Sequence, residues 1–367
     1  MDSGHSFVMN SMDKFRLALL SSGLSGLDKK LVLTYDNTRF TDGVGAQLHR
    51  IYGIYSISRL LGVPYLHSPL GRVDYQGLSA LEGNRADPGF HHEFNDLFQI
   101  KSDIAPMDDF HKIKPIHISM DTLRQIVALF DAHKTGGRPS LVQLALPHGI
   151  ADLFPDCYEV CKQISPFASS VREGRAVRVA IHVRRGELLV LDSERMLPNV
   201  YYIEVAQNVA HVLDVLKIDY QMELHTEVPD KEFIVQPNHH GISHRIRTPV
   251  TVSPQMCRLD DFSVLPKLVF CINETAIECL RKLTTADILV MSRSSLSYVA
   301  AILNRNGIML YHPFWHHALS SWITVGPDGQ FDRVKLRRAA ETLGDGATSD
   351  AKSAKTDELT HVAHKPA

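Results

Sequence analysis

The chain has no run of apolar residues approaching the roughly 18 that a membrane-spanning helix needs, so no span is expected. It has little cysteine. Cys157, Cys161, Cys257, Cys271 and Cys279 are odd in number, with no CxxC pair and no neighbouring HxxxH, which argues against a zinc framework and leaves reduced, mostly buried thiols. It lacks an excess of positive charge: 39 Lys and Arg against 41 Asp and Glu give a net charge of -2, which excludes the basic footprint of a general nucleic-acid binder. Any anion site must therefore be local. The motif GxxxxGK[ST] is absent, which disfavours a P-loop kinase or sulfotransferase.

What is present suits a globular protein of two domains. There are 367 residues, 44% hydrophobic and 22% charged, more than one core normally holds. Histidine is frequent at 20 copies, and His91-His92, His239-His240 and His316-His317 stand as pairs. Adjacent side chains diverge on a helix or strand, so the pairs are poor metal ligands. The N-terminus carries Asp2 and Asp13 without a positive n-region before a continuous apolar stretch, so no signal peptide is expected. The sequon at Asn273 to Thr275 then reads as incidental, and a cytoplasmic setting is expected.

Strands and helices alternate along the chain. "KLVLTYDN" (Lys30 to Asn37) reads as a strand, "TDGVG" as a turn, and Leu48, Ile51, Tyr52, Tyr55, Ile57, Leu60 and Leu61 fall near helical spacing before Gly62. "PYLHSPL" reads as a second short strand, and Gly71 to Lys114 as irregular. Helices are expected at Met120 to His133 and Asp156 to Ser165, and the charged turn Arg172 to Arg175 is the candidate domain boundary. The second half repeats the alternation: strand Val177 to Val183, helix Pro198 to Leu216, strand Tyr220 to Thr226, helices Leu265 to Phe270 and Thr275 to Leu283, strand Asp287 to Met291, helix Ser295 to Leu303, strand Gly307 to Tyr311. Pro198 suits the first position of its helix. The fold class expected is α/β, with two parallel-sheet domains over 1–171 and 172–343 and a disordered tail over 344–367.

In "RVAIHVRRGE" (Arg178 to Glu187) a buried strand runs straight into two arginines. Ligands of open parallel sheets bind outside the carboxyl ends of the strands, which places Arg184 and Arg185 at a site mouth. Two planar guanidinium forks match the oxygens of a diphosphate, and Gly186 allows close backbone approach. The competing reading is a surface network with Glu173, Glu187 or Glu194. "SRSSLS" (Ser292 to Ser297) lies at a strand mouth and a helix start, where unpaired N–H groups attract an anion and Ser294 or Ser295 can serve as N-cap.

"IHVRRGE" (Ile181 to Glu187) resembles the HxRRxD motif of the fucosyltransferases that make α1,2-, α1,6- and O-linked fucosides, with Glu187 where the family usually has Asp. Asp42 to Leu66 resembles the G-x-G-x-Q-L segment of the α1,2 branch, with Ala46 replacing the frequent amide residue. Ala286 to Pro313 resembles the late motif in which a Ser-rich turn meets the nucleotide. The three segments fall in the family's order and cover about a fifth of the chain.

The resemblance implies two Rossmann-like domains facing across a cleft (GT-B type), and an inverting transfer of fucose from GDP-fucose to a glycan hydroxyl. The alternatives are another sugar nucleotide, or a glycan- or nucleotide-binding module without turnover. No Asp-x-Asp occurs, so neither a metal nor a cofactor beyond the donor is expected, and leaving-group charge falls to Arg184, Arg185 and the N–H groups near Ser294 and Ser295. The implied donor contacts are Gly43, Gly45, His182, Glu227, Asp287, Ser294, Ser295 and Ser297. Asp287 would meet the guanine edge, its competing role being an ordinary turn aspartate, and Glu227 could instead cap a helix before Pro229. Glu187 is the first candidate base, with Asp192 and Glu194 behind it. His225 falls in the same strand end as Glu227. His49 reads either as an acceptor contact or as an ordinary helix-face histidine. Partners are a nucleotide sugar and a glycan acceptor; oligomeric state is left open.

Overall fold

A computed structural model describes residues 31–38, 41–61, 64–73, 76–81, 89–104, 111–117, 140–145, 155–167, 176–191, 195–237, 246 and 248–343. These fall into two compact units, the described parts of Met1–Ala80, Asn84–Pro166 and Phe314–Ser320, and those of Leu81–Gly83, Phe167–Pro313 and Ser321–Ala367. The return of Phe314–Ser320 to the first unit is an excursion that a single sequence boundary cannot express. The expected helix Met120 to His133, the turn Arg172 to Arg175 and the tail from Gly344 lie outside the described residues.

The first unit holds a parallel sheet of β1 (Leu31–Tyr35), β2 (His111–His117) and β3 (Ser140–Ala145) in the order β1-β3-β2. After β1 comes α1 (Val44–Leu61), buried almost all round, which marks an interior helix. A 3-10 helix at Pro155–Ile164, where the sequence implied a helix, packs on α1 through Tyr158 and Cys161. "PYLHSPL" forms only a bridge between Tyr65 and Leu33, because Pro64 and Pro69 have no N–H to donate. The stretch expected to be irregular contains α2 (Phe90–Leu97) and enters β2.

The second unit is built on β4 (Val177–His182), β5 (Tyr220–Thr226), β8 (Leu268–Ile272), β9 (Ile288–Val290), β10 (Ile308–Tyr311) and β11 (Ile323–Thr324); β6 (Phe233–Val235) and β7 (Val250–Val252) form a separate antiparallel pair. The six strands are parallel, in the order β11-β10-β9-β4-β5-β8. Numbered from β4, that is the 3-2-1-4-5-6 order of the doubly wound Rossmann sheet. β8 occupies part of the expected helix Leu265 to Phe270. Its short apolar run has no helical length, and a strand pairs it with β5.

Helix α3 (Asn199–Val215) begins one residue later than expected, with Pro198 as its extended N-cap. It lays Tyr201, Tyr202, Val205, Val209 and Leu213 on Val179, Ile181, Met222, Leu224, Ile288 and Val290. Each fully buried Leu, Ile or Val contributes roughly 1.5–3 kcal/mol. Alternation puts Arg178, His182, Glu223 and His225 on the opposite face, where α4 (Ala276–Thr284) and α5 (Ser295–Leu303) follow. α5 has the bounds its sequence implied. The five cysteines are free thiols, three of them buried, and no described helix is long and apolar enough to cross a membrane.

Candidate functional site

In the second unit the strand order reverses between β4 and β9. Such a switch point opens a crevice at the carboxyl ends of the two strands. "HVRRGE" leaves β4 and "SRSS" leaves β9 at that edge. His182 Nδ1 lies 3.0 Å from Ser292 Oγ, and both residues are buried. Burial, with Arg184 and His225 nearby, pushes the imidazole down to about 3, so it stands neutral. Tyr202, on α3, bonds the Ser292 side chain and the Arg184 backbone; burial first of all pushes its phenol up to about 12.

The two arginines part company. A strand sends successive side chains to opposite faces, and beyond the end of β4 the two arginines likewise take different partners. Arg184 follows His182: its Nη1 donates to Ser294 Oγ at 2.8 Å, while Nε, at 3.0 Å, and Nη2 donate to Glu187 Oε1. Arg185 follows Val183. It is 5% exposed, donates to the Arg184 carbonyl at 2.9 Å and to Asn199 Oδ1, and lies over the Tyr202 ring at 5.9 Å. Asn199 Nδ2 in turn donates to the Cys257 and Arg258 carbonyls and to Asp261. Two forks side by side on one diphosphate are thus not what the pair forms; Arg185 ties β4 to the start of α3.

Glu187 lies inward. Its carboxylate is 3% exposed and turned onto Arg184, rather than standing open at the mouth as a base would. Burial lowers the Arg184 guanidinium, with Glu227 opposing, and burial pushes Glu187 up to about 8, with Glu227 adding to the rise and Arg195 opposing it. Glu227 follows β5 and abuts Gly186, whose φ is +45°. One guanidinium thus stands between two carboxylates.

Ser294 is the N-cap of α5, its Oγ accepting from Leu296 N at 3.2 Å. Ser297 donates to the Ser294 and Ser292 carbonyls at 3.0 and 3.3 Å, which makes it part of the turn. Ser295, buried, opens the helix. Asp287 sits at the other end of its strand, five residues or roughly 16 Å before Ser292, and its Oδ2 accepts from Arg178 N at 2.8 Å. A base edge at the carboxyl side is out of its reach, and the competing role as a local structural aspartate holds.

Gly43 and Gly45 belong to the first unit, at the start of α1, where the Gly43 carbonyl accepts from Ala46 N and Gln47 N. Gln47 Nε2 donates to the Asp42 and Arg72 carbonyls, and Arg50 pairs with Asp42. These contacts clamp the glycine turn. His49 is buried, with Nε2 2.7 Å from Tyr158 Oη and its ring 4.0 Å from that of His316, so the interior reading applies. Asp192 and Glu194 lie outside the described residues.

His225 turns away from the mouth. Its Nδ1 is 2.8 Å from Glu274 Oε2 and its Nε2 3.6 Å from Glu223 Oε2, and Glu223 takes Arg178 at 3.1 and 2.8 Å. Burial works against ionisation of Glu223, but His225 and Arg178 hold it down at about 2. His225, Cys271 and Glu274 bring ligand atoms within 4.8 Å of one another, the one such group among the described residues. Lys282 already supplies a cation there, bonded to Glu274 and 3.8 Å from Cys271 Sγ.

Tyr202 and Asn199 were not expected at the site. Their signal lay in the first turn of α3, which must follow a strand exit on the same face. No protein-family model and no curated protein matches the chain. Among solved structures it is similar to an E. coli heptosyltransferase, WaaC, with ADP, at 12% identity over 86% of this chain and 99% of that one, with a TM-score of 0.37. It is similar also to an E. coli ADP-heptose LPS heptosyltransferase II, at 12% identity over 88% and 99%, with a TM-score of 0.31.

Proposed function

We propose that the second unit binds the diphosphate of a sugar nucleotide at the carboxyl ends of β4 and β9, and that the chain is an inverting glycosyltransferase of GT-B type. The observation that carries this is Arg184: part-exposed at a Rossmann switch point and bonded to the N-cap serine of α5. A guanidinium and a helix N-terminus stabilise the charge that develops on a departing diphosphate. The motif resemblance supports GDP-fucose as donor and a glycan hydroxyl as acceptor.

In the reaction, the acceptor oxygen bonds to the anomeric carbon from the face opposite the diphosphate. The bond from that carbon to the phosphate oxygen breaks and its electron pair leaves on the nucleoside diphosphate. The hydroxyl proton passes to a base or to solvent. Glu187 acts here as a positioning residue that holds Arg184 beside Ser294. Neutral His182 and Tyr202 hold Ser292, and so the turn.

The test is thermal unfolding with GDP, ADP, UDP, CDP and dTDP, each with and without EDTA. A nucleotide at 100 times its dissociation constant stabilises by roughly 2.7 kcal/mol, a shift of a few degrees. Stabilisation by GDP, indifferent to EDTA, followed by transfer from GDP-fucose with inversion, is the expected result. Preference for another nucleotide changes the donor; no effect from any sinks the reading.

A further inference from the structure

With Arg185 spent on Asn199, the site needs a second cation if it is to hold both phosphates of a donor. Arg293, between Ser292 and Ser294, is placed for it. Ser292 bonds His182 and Ser294 bonds Arg184, so the residue between them belongs to the same turn, about 3.8 Å of backbone from the N-cap of α5. Exposure separates the three arginines: Arg184 and Arg293 are part-exposed, whereas Arg185 is buried.

Arg293 is also oriented. Its Nη2 lies 3.0 Å from His312 Nε2, at the carboxyl end of β10, and the His312 ring meets Tyr201 edge-on at 4.9 Å. Burial, with Arg293 beside it, pushes His312 down to about 4, so this imidazole is neutral and leaves the guanidinium's charge in place. Arg293 acts electrostatically on Tyr201 and Tyr202, and Tyr202 feels Arg185 as well. Two part-exposed guanidinium groups thus lie at the ends of β4 and β9, Arg184 facing Glu187 and Arg293 facing neutral His312.

We propose that Arg184 and Arg293, rather than Arg184 and Arg185, are the two guanidinium groups that take the donor's diphosphate, with His312 positioning Arg293. The inference rests on the sugar-nucleotide reading and deepens it. A diphosphate offers oxygens to two guanidinium forks where a monophosphate offers fewer, so a pair of arginines favours the longer anion.

Calorimetric titration of GDP, GMP and inorganic pyrophosphate into the wild type, Arg293→Ala, Arg293→Lys, Arg184→Ala and Arg185→Ala tests it, with circular dichroism to verify folding. Arg293→Ala is expected to weaken GDP and pyrophosphate about tenfold or more while GMP changes less than about threefold. Arg293→Lys should recover part of the loss, and it carries the comparison if the alanine variant does not fold. Wild-type affinities in both Arg293 variants, with loss in Arg184→Ala, would overturn the inference and leave the diphosphate site standing. A wild type that binds neither GDP nor pyrophosphate removes the site and the inference with it.

Discussion

The Glu227 carboxylate occupies the space into which a side chain at Gly186 would project: a Cβ there would overlap Oε2. Gly186 also has φ +45°, a left-handed value that glycine adopts at less cost than residues with a Cβ. A strand exit carrying Arg184 and a strand exit carrying Glu227 thereby meet at one residue.

Gly186→Ala is accordingly expected to cost roughly 1–3 kcal/mol of stability, from backbone strain plus displacement of the carboxylate. Urea denaturation measures it. Combining it with Glu227→Ala should recover part of the loss, because the overlap goes and the strain stays; strict additivity would show that the two positions do not touch.

The arginines should separate stability from binding. Arg185→Ala removes a buried charged hydrogen bond to Asn199 and is expected to cost roughly 1.5–3 kcal/mol, with GDP affinity within about threefold of wild type below the melting temperature. Arg184→Ala should lower GDP affinity about tenfold or more, with the smaller effect on Tm. The reverse pattern would assign the ligand to Arg185.

Two buried groups pull the pH dependence of stability in opposite directions. His182 has its folded pKa depressed from 6.5 to about 3, so the stability it gives is full above about 6.5 and is lost as pH falls below that. Glu187 has its folded pKa raised from 4.5 to about 8, so its favourable contribution is full below about 4.5 and is lost as pH rises to about 8. Arg184, Glu227 and Arg195 are the charges that act on it. Denaturation at pH 5 and pH 8.5 should show Glu187→Gln reducing the alkaline loss and leaving the acid loss; an unchanged alkaline loss would mean that Glu187 is not the titrating group.

Much of the second unit was legible because its elements are locally encoded. α5, β5 and the run leaving β4 follow from apolar runs, turn residues and a serine cap, all within a few positions in sequence. The helix read near Leu265 was lost because five apolar residues bear no period; only pairing with β5 makes them a strand. The sequence puts Arg184 and Arg185 together after β4, but not which partner each one takes: Arg184 bonds Ser294 and Glu187, and Arg185 bonds Asn199. Arg293 stands inside the serine run, and only the fold brings it against His312, nineteen positions later.

By itself the sequence determined an α/β chain of alternating strands and helices, a strand that ends in charge, and a serine-capped helix start. It could do so because hydrophobic period and capping chemistry are short-range. Tertiary structure alone decided that the order of strands reverses between β4 and β9, that Glu187 turns onto Arg184, that Arg185 is consumed by Asn199, and that Asp287 lies at the far end of its strand. The strand order and the place of Asp287 depend on which segments, about a hundred residues apart, share a sheet edge, and the two shorter contacts depend on how the chain turns as it leaves that edge. That choice is settled by the burial of whole faces rather than by any local pattern.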